Sequence, residues 1–136
     1  MVRLFVDTSA FLALLNAEDK EHRSAHARWL GWIDEGVSFE THNYVILESH
    51  ALIQNRLGMA AVQDFERAIQ PLLAVHWIHP KTHQSAVQLL LAANRRGLSL
   101  VDCTSFVVMG QTGIESVFAF DQHFAEQGFQ LLPEGQ

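Results

Sequence analysis

Cysteine, proline and cationic side chains are scarce in this sequence, and each shortage excludes a class of protein. The single cysteine, Cys103, rules out an internal disulfide and any metal site built from a cysteine cluster. Three prolines and eight glycines are scattered along 136 residues, so no linker is visible. No apolar run reaches the roughly 18 residues that a membrane-spanning helix needs. We therefore predict one domain over residues 1–136, without a membrane segment.

The charge balance is acidic, because nine lysine and arginine residues face fifteen acids, for a formal net charge of −6. Proteins that bind nucleic acid usually present a basic surface, since phosphate contacts supply much of the affinity. The acidic balance weakens that expectation without removing it, because acids that share bound cations are neutralised by them. The segment Met1-Val2-Arg3 leads directly into an apolar run, which leaves no room for a signal peptide, and we expect a cytoplasmic protein.

The apolar run Leu4-Phe5-Val6 stops abruptly at Asp7-Thr8-Ser9. This pattern predicts a buried strand that carries a carboxylate to the edge of a sheet, where ligands bind in open α/β sheets. A later run, Val117-Phe118-Ala119-Phe120, ends at Asp121 in the same way. The two strand ends predict one site that contains both Asp7 and Asp121.

Val37-Ser38-Phe39 is predicted as a second short strand, and helical periodicity fills the segments between the predicted strands. Thr8 or Ser9 can cap a first short helix, and a second helix over 19–35 has a stripe formed by Ala25, His26, Trp29 and Ile33. Strands that alternate with helices predict a parallel sheet with helices on both faces. If three strands step outward one way and the fourth returns beside the first, Asp7 and Asp121 face each other across the crevice where ligands bind.

A third predicted helix, 43–56, which Thr41 or Asn43 would cap, contains a carboxylate within its apolar stripe. The stripe consists of Tyr44, Leu47, Ala51 and Leu52, and Glu48 falls inside it. A core-facing carboxylate is costly unless it is paired or bound to a cation. The functional interpretation of Glu48 is a metal ligand. The alternative is a position at the margin of the stripe, where Glu48 reaches water or pairs with His50 or Arg56.

Asp102 follows the apolar segment 98–101 and opens another predicted helix, with Ser105 three residues further on. An aspartate at a helix start is ordinarily a cap or a partner of the helix dipole. Taken alone, Asp102 therefore favours a structural role. Its functional interpretation depends on the other acids that the topology brings to the same edge of the sheet.

A cluster of carboxylates has a definite chemical use. Carboxylates that lie close together repel each other, and they persist together when a cation holds them. A site made of oxygen ligands suits Mg²⁺ or Mn²⁺. The reaction that fits is phosphodiester hydrolysis, in which the metal acidifies a water and stabilises charge on the phosphate oxygens.

Four segments in this order resemble the PIN-domain family, and most closely the small bacterial VapC-type ribonucleases. They are Leu4-Phe5-Val6-Asp7-Thr8-Ser9, Tyr44-Val45-Ile46-Leu47-Glu48, Leu98-Ser99-Leu100-Val101-Asp102 and Val117-Phe118-Ala119-Phe120-Asp121-Gln122-His123-Phe124. The resemblance covers roughly residues 2–132. It implies a three-layer α/β/α sandwich with a mostly parallel sheet of four to five strands. It also implies a divalent-metal endoribonuclease that leaves 5′-phosphate and 3′-hydroxyl ends, forms homodimers and, in toxin–antitoxin pairs, is inhibited by a small antitoxin protein.

The resemblance carries over to particular residues. It implies that Asp7, Glu48, Asp102 and Asp121 are the catalytic acids and the ligands of Mg²⁺ or Mn²⁺. The residues that would support them are Thr8, Ser9, Ser105 and His123. One position departs from the family: a threonine or serine often stands two residues before the last acid, and this chain has Ala119. The missing hydroxyl weakens the expectation of a complete second metal shell.

The leading hypothesis is therefore an endoribonuclease that acts as the toxin of a type II toxin–antitoxin pair. One alternative is a non-catalytic PIN-like module that binds a partner protein, which Ala119 and the acidic surface favour. Another is a PIN nuclease that processes RNA without an antitoxin. A melting temperature that rises with Mn²⁺ separates a metal-binding enzyme from a module that lacks the site.

Overall fold

The computed structural model describes residues 2–134, and a five-stranded sheet with exclusively parallel pairings lies at its centre. The strands are β1 (Arg3–Val6), β2 (Ser38–His42), β3 (Leu73–His76), β4 (Ser116–Phe118) and β5 (Gln130–Leu132). Their order across the sheet is β3-β2-β1-β4-β5. Three strands step outward and the fourth returns beside the first, as predicted, so the switch point lies between β1 and β4.

Seven α-helices connect the strands within the described residues. They are α1 (Thr8–Leu15), α2 (His22–Glu35), α3 (Asn43–Leu57), α4 (Met59–Asp64), α5 (Pro80–Ala93), α6 (Leu100–Thr112) and α7 (His123–Glu126). A π-helical turn, Phe65–Ile69, and a 3₁₀ turn, Gln70–Leu72, follow α4. Over residues 2–134, no helix combines the length and the apolar character needed to cross a membrane.

Aromatic side chains join the helices to both faces of the sheet, which confirms the predicted three layers. On one face, Trp29 of α2 stacks on Phe39 at 4.0 Å and Trp32 meets Phe118 edge-on at 4.8 Å between ring centroids. On the other face, Phe5 lies 6.4 Å from Phe124 of α7. The predicted stripe of α2 was wrong at two positions: His26 and Ile33 are exposed, and Trp32 is buried instead. Trp32 offers the larger surface to the core and is the residue that packs.

Strand β2 extends three residues beyond its predicted end at Phe39, and the extension buries a carboxylate. Glu40 accepts hydrogen bonds from Arg3 Nε at 2.6 Å and Arg3 Nη2 at 3.0 Å, and it lies 2.8 Å from His76 Nε2. These bonds, above all those from Arg3, hold the pKa of Glu40 below its usual range. A buried acid that is paired with an arginine and hydrogen-bonded to a second side chain is tolerated for structural reasons. Glu40 lies within β2 and joins three neighbouring strands.

Candidate metal centre

Asp7 lies at the carboxyl end of β1, and its backbone N–H donates to the carbonyl of Phe118 on β4 at 3.0 Å. Asp7 is also the N-cap of α1, a position that sequence reasoning gave to Thr8 or Ser9. Its Oδ2 accepts from Ser9 N at 3.1 Å and from Ser9 Oγ at 2.7 Å. Asp7 takes the cap because its short carboxylate reaches the free N–H groups of the first turn.

Burial changes the ionisation of Asp7. The residue is only 4% exposed. The pKa of Asp7 is raised from the ordinary value of 3.8 to about 7, mainly by loss of solvation. The two bonds from Ser9 act in the opposite direction, and the nearby carboxylates of Asp102 and Asp121 add to the rise. Ionisation of such a buried carboxyl group is energetically unfavourable when no cation is near it. A cation beside it would remove the penalty.

The two predicted hydroxyl residues next to Asp7 have different roles. Besides its bonds to Asp7, Ser9 accepts a hydrogen bond at Oγ from Phe120 N at 3.0 Å. Ser9 therefore ties the end of β1 to the loop that follows β4. Thr8 points elsewhere, because its Oγ1 accepts from Ser49 Oγ of α3 at 3.2 Å. Only Ser9 lies at the candidate site.

Asp102 occupies the third position of α6, not the cap that its place in the sequence predicted. The cap is Ser99, whose Oγ accepts from Asp102 N at 3.0 Å, while Asp102 Oδ2 accepts from Ser99 N at 3.1 Å. This reciprocal capping box fixes the carboxylate at the start of the helix. Burial is the main cause that raises the pKa of Asp102, and Asp121 contributes.

Asp121 and His123 complete a cluster with Asp102. One ligand atom from each of the three residues lies within 4.8 Å of the other two. Asp121 Oδ1 accepts from His123 N at 2.9 Å, and His123 Nε2 contacts the carbonyl oxygen of Gly97 at 3.0 Å. His123 Nδ1 is buried without a hydrogen-bond partner among residues 2–134. Two carboxylates, a buried imidazole nitrogen and the raised pKa of the adjacent Asp7 fit a divalent cation.

Glu48 is positioned differently from its prediction. The buried residues of α3 are Val45, Ser49 and Ile53, and Leu47 is 71% exposed. The helix is rotated because Ser49 packs inward to reach Thr8, and Glu48 comes to the partly buried margin. Within the described part of the chain, Glu48 has no hydrogen bond or ion pair. The predicted partner His50 binds Glu66 at 2.6 Å instead. The structure does not join Glu48 to the Asp102–Asp121–His123 cluster, and its role stays a prediction.

His42, at the end of β2, has a buried role that the sequence did not reveal. Its Nδ1 accepts from Tyr44 N at 3.2 Å and Val45 N at 3.3 Å, which makes it the N-cap of α3 in place of the predicted Thr41 or Asn43. Nε2 therefore carries the proton and donates to Ser105 Oγ of α6 at 2.9 Å. Ser105 thereby links the N-terminus of α3 to α6, and its support of the metal site stays a prediction.

Burial keeps His42 neutral by lowering its pKa to about 3. His42→Leu should lower the free energy of unfolding by about 2 kcal/mol, because two helix N–H groups lose their acceptor and Ser105 loses a partner. Urea unfolding measures the change. His79→Leu is the matched control, because His79 caps α5 without a side-chain hydrogen bond. Equal costs for the two variants would contradict the role of His42.

The comparisons with known proteins agree with this architecture. The family model of the PIN domain matches residues 4–130, and the chain belongs to the PIN-domain family. The 23S rRNA-specific endonuclease VapC20, from two strains of Mycobacterium tuberculosis, is 34% identical over 133 residues. The match covers 96% of this chain and 99% of VapC20. The predicted resemblance to VapC-type members is confirmed.

Solved structures give the same answer for the fold. The crystal structure of M. tuberculosis VapC20, described as a Sarcin-Ricin loop cleaving toxin, superimposes with a TM-score of 0.81 at 33% identity and covers 93% of this chain and 95% of its own. PAE2754 from Pyrobaculum aerophilum has a TM-score of 0.66 at 19% identity, over 96% of this chain and 84% of its own. FitAcB from Neisseria gonorrhoeae has a TM-score of 0.66 at 16% identity, over 94% and 95%. The last two show the shared fold alone.

Proposed function

We propose that this protein is a divalent-metal-dependent endoribonuclease and the toxin of a type II toxin–antitoxin pair. The observation that carries the proposal is the meeting of Asp7, Asp102 and Asp121 beside the switch point of a PIN-domain sheet. Carboxyl groups whose pKa is raised by burial and by neighbouring acids, as for Asp7 and Asp102, are concentrated at functional sites. The similarity of the whole chain to VapC20, an endonuclease, supports the same class of reaction.

The residues proposed to act in catalysis and to bind Mg²⁺ or Mn²⁺ are Asp7, Glu48, Asp102 and Asp121. When bound, a divalent cation supplies an acidified water and stabilises negative charge on the phosphate that is cleaved. The chain positions its own acids for this purpose. Ser9 orients Asp7 Oδ2 through two hydrogen bonds, and Ser99 orients Asp102 through the capping box.

The departure at Ala119 removes one oxygen from the neighbourhood of Asp121. Ala119 is fully buried, and its backbone N–H donates to the carbonyl of Leu132 at 3.2 Å. Asp102, Asp121 and His123 lie next to one another, and residue 119 contributes no hydroxyl group to them. In this group, the buried Nδ1 of His123 lies 3.8 Å from Glu126 Oε2.

The proposed substrate is structured RNA, and ribosomal RNA is the first one to test, because the relative VapC20 is specific for 23S rRNA. The proposed partners are a second copy of the chain and a small antitoxin protein. Large apolar side chains that such interfaces would cover are exposed: Leu47 and Leu91 are each 71% exposed, and Trp77 is 73% exposed. We place the protein in the cytoplasm, where that RNA is found.

Cleavage of ribosomal RNA by the purified protein tests the proposal. Cutting is expected with Mg²⁺ or Mn²⁺, loss of cutting with EDTA, and recovery when the metal is added in excess. Sequencing of the product ends should find 5′-phosphate and 3′-hydroxyl groups. If the protein cuts nothing and its melting temperature is unchanged by Mn²⁺, the non-catalytic binding module becomes the better description.

A further inference from the structure

A cavity of about 210 Å³ is lined in part by Ser9, the hydrogen-bond partner of Asp7. Its wall comes from three parts of the chain: α1 with its connection to α2, the C-terminal end of α3, and the loop after β4. None of the four proposed catalytic acids lines it. The cavity is therefore a separate feature that the metal chemistry does not explain.

Two residues connect this cavity to the candidate metal centre. Ser9 lines it, and Ser9 Oγ donates to Asp7 Oδ2 at 2.7 Å. Phe120 also lines it, donates its N–H to Ser9 Oγ at 3.0 Å and immediately precedes Asp121. A molecule in the cavity would thus contact Ser9, which holds Asp7, and Phe120, which precedes Asp121 in the chain. We therefore expect the molecule that binds in this cavity to be part of the substrate.

The cavity has apolar side chains in its wall and exposed cationic side chains at its opening. Leu12, Leu57 and Phe120 provide apolar surface. Lys20 and Arg56 are exposed at the cavity, come from different elements, and form no ion pair with any residue in 2–134. Other cations are engaged, since Arg3 binds Glu40 and Arg95 binds Glu126.

Two acids also line the cavity and decide what can enter it. Asp19 Oδ1 accepts from Glu21 N at 2.8 Å, so one of its oxygens is used within the loop. Carboxylates repel a phosphate, but they accept hydrogen bonds from the amino groups of a nucleobase. The acids at the wall and the cations at the rim favour a base inside and phosphates outside.

We propose that this cavity receives an unstacked nucleobase next to the scissile phosphate, with Lys20 and Arg56 contacting the backbone phosphates that flank it. The inference rests on the proposed ribonuclease function and names a subsite of it. Single-stranded RNA loops are recognised in this manner, with bases turned out against aromatic side chains and phosphates held by cations. Phe120 is the aromatic surface available to the base.

Binding in EDTA tests the subsite without any cleavage. The probe is a fluorescein-labelled single-stranded RNA of mixed sequence, twelve nucleotides long, followed by anisotropy at several salt concentrations. The double variant Lys20→Gln with Arg56→Gln should raise Kd about tenfold and reduce the salt slope by roughly 1.4, which is two contacts at 0.7 each. The matched control is Arg67→Gln with Lys81→Gln, two exposed cations away from the cavity with the same change in charge.

The base contact has its own variants. Phe120→Ala should raise Kd about tenfold with an unchanged salt slope, because it removes stacking and no charge. Phe120→Leu retains apolar packing and serves as the second variant if Phe120→Ala does not fold. It should raise Kd in the same direction but by less. Equal Kd and slope for the cavity double variant and its control would overturn the proposal, as would wild-type affinity in both Phe120 variants or no RNA binding by the wild type. Since these are binding measurements, a failure of metal-dependent cleavage is a different result and leaves this comparison intact.

Discussion

Replacing Asp7 by asparagine should reduce RNA cleavage by about a thousandfold or more without unfolding the protein. Asparagine has the shape of aspartate, and its side-chain oxygen can still accept the two bonds from Ser9. It lacks the negative charge that a divalent cation requires. Metal assistance is worth several kcal/mol of transition-state stabilisation, and each 1.36 kcal/mol is a factor of ten in rate.

Stability gives this variant a second readout. Asp7 has its pKa raised by burial, so the stability that its protonated form provides is complete below pH 4 and is lost as the pH rises to about 7. Asp7→Asn has no group to ionise there. In EDTA at pH 8, the free energy of unfolding measured in urea should therefore be higher for the variant than for the wild type, by roughly a few kcal/mol. The difference should shrink toward pH 4.

The control for both measurements is Asp64→Asn, because Asp64 is an exposed acid of α4. Its cleavage rate and stability should match those of the wild type. Undiminished cleavage by Asp7→Asn would mean that the activity belongs to another protein in the preparation. A normal rise of the melting temperature with Mn²⁺ in Asp7→Asn would show that Asp7 is not a ligand.

The features predicted best from the sequence were those that depend on neighbouring residues. An apolar run that ends in an acid defines a buried strand and its carboxyl end within a few positions, and both Asp7 and Asp121 were found in this way. Alternation of strands and helices then limits the topology, because parallel crossovers have one hand and strands fill the sheet from a switch point. The observed order β3-β2-β1-β4-β5 follows from these local signals.

The features that were missed depend on residues distant in sequence. The segment Glu40-Thr41-His42 is polar and suggested the end of a strand, yet all three residues are buried. Glu40 is satisfied by Arg3 and His76, 37 and 36 positions away. His42 finds its partner Ser105 at a separation of 63 residues. No local sequence pattern predicts such long-range pairs.

The predicted orientation of α3 was wrong for a related reason. In α3 the apolar residues surround most of the helix, so periodicity alone allowed a stripe centred on Leu47 or one centred on Ser49. The choice is made by Thr8 of α1, which offers Ser49 a buried hydrogen bond. This rotation moves Glu48 from the centre of a stripe to its margin. The sequence evidence for Glu48 therefore depends on the family resemblance more than on its burial.

The affinity of the metal-free protein for Mn²⁺ should fall about tenfold for each pH unit below 7. Burial raises the pKa of Asp7 to about 7, so the folded protein holds a proton on this carboxyl at lower pH. A carboxylate must lose its proton to become a ligand, and binding therefore releases one proton. Above pH 8 the carboxyl is already ionised and the affinity should level off. The raised pKa of Asp102 makes the fall steeper at the acidic end.

Titration calorimetry at several pH values, each in two buffers of different ionisation enthalpy, measures both the affinity and the protons released. About 0.9 proton should leave per ion bound at pH 6 and almost none above pH 8.5, as a pKa of about 7 requires. Asp7→Asn should bind weakly and lose the tenfold dependence near neutrality, whereas Asp64→Asn should retain it. An affinity that is flat between pH 5.5 and 7.5 in the wild type would contradict metal ligation by Asp7. The test is decisive because the burial that makes Asp7 an unstable anion in the empty protein is also what couples its ligation to a proton near neutral pH.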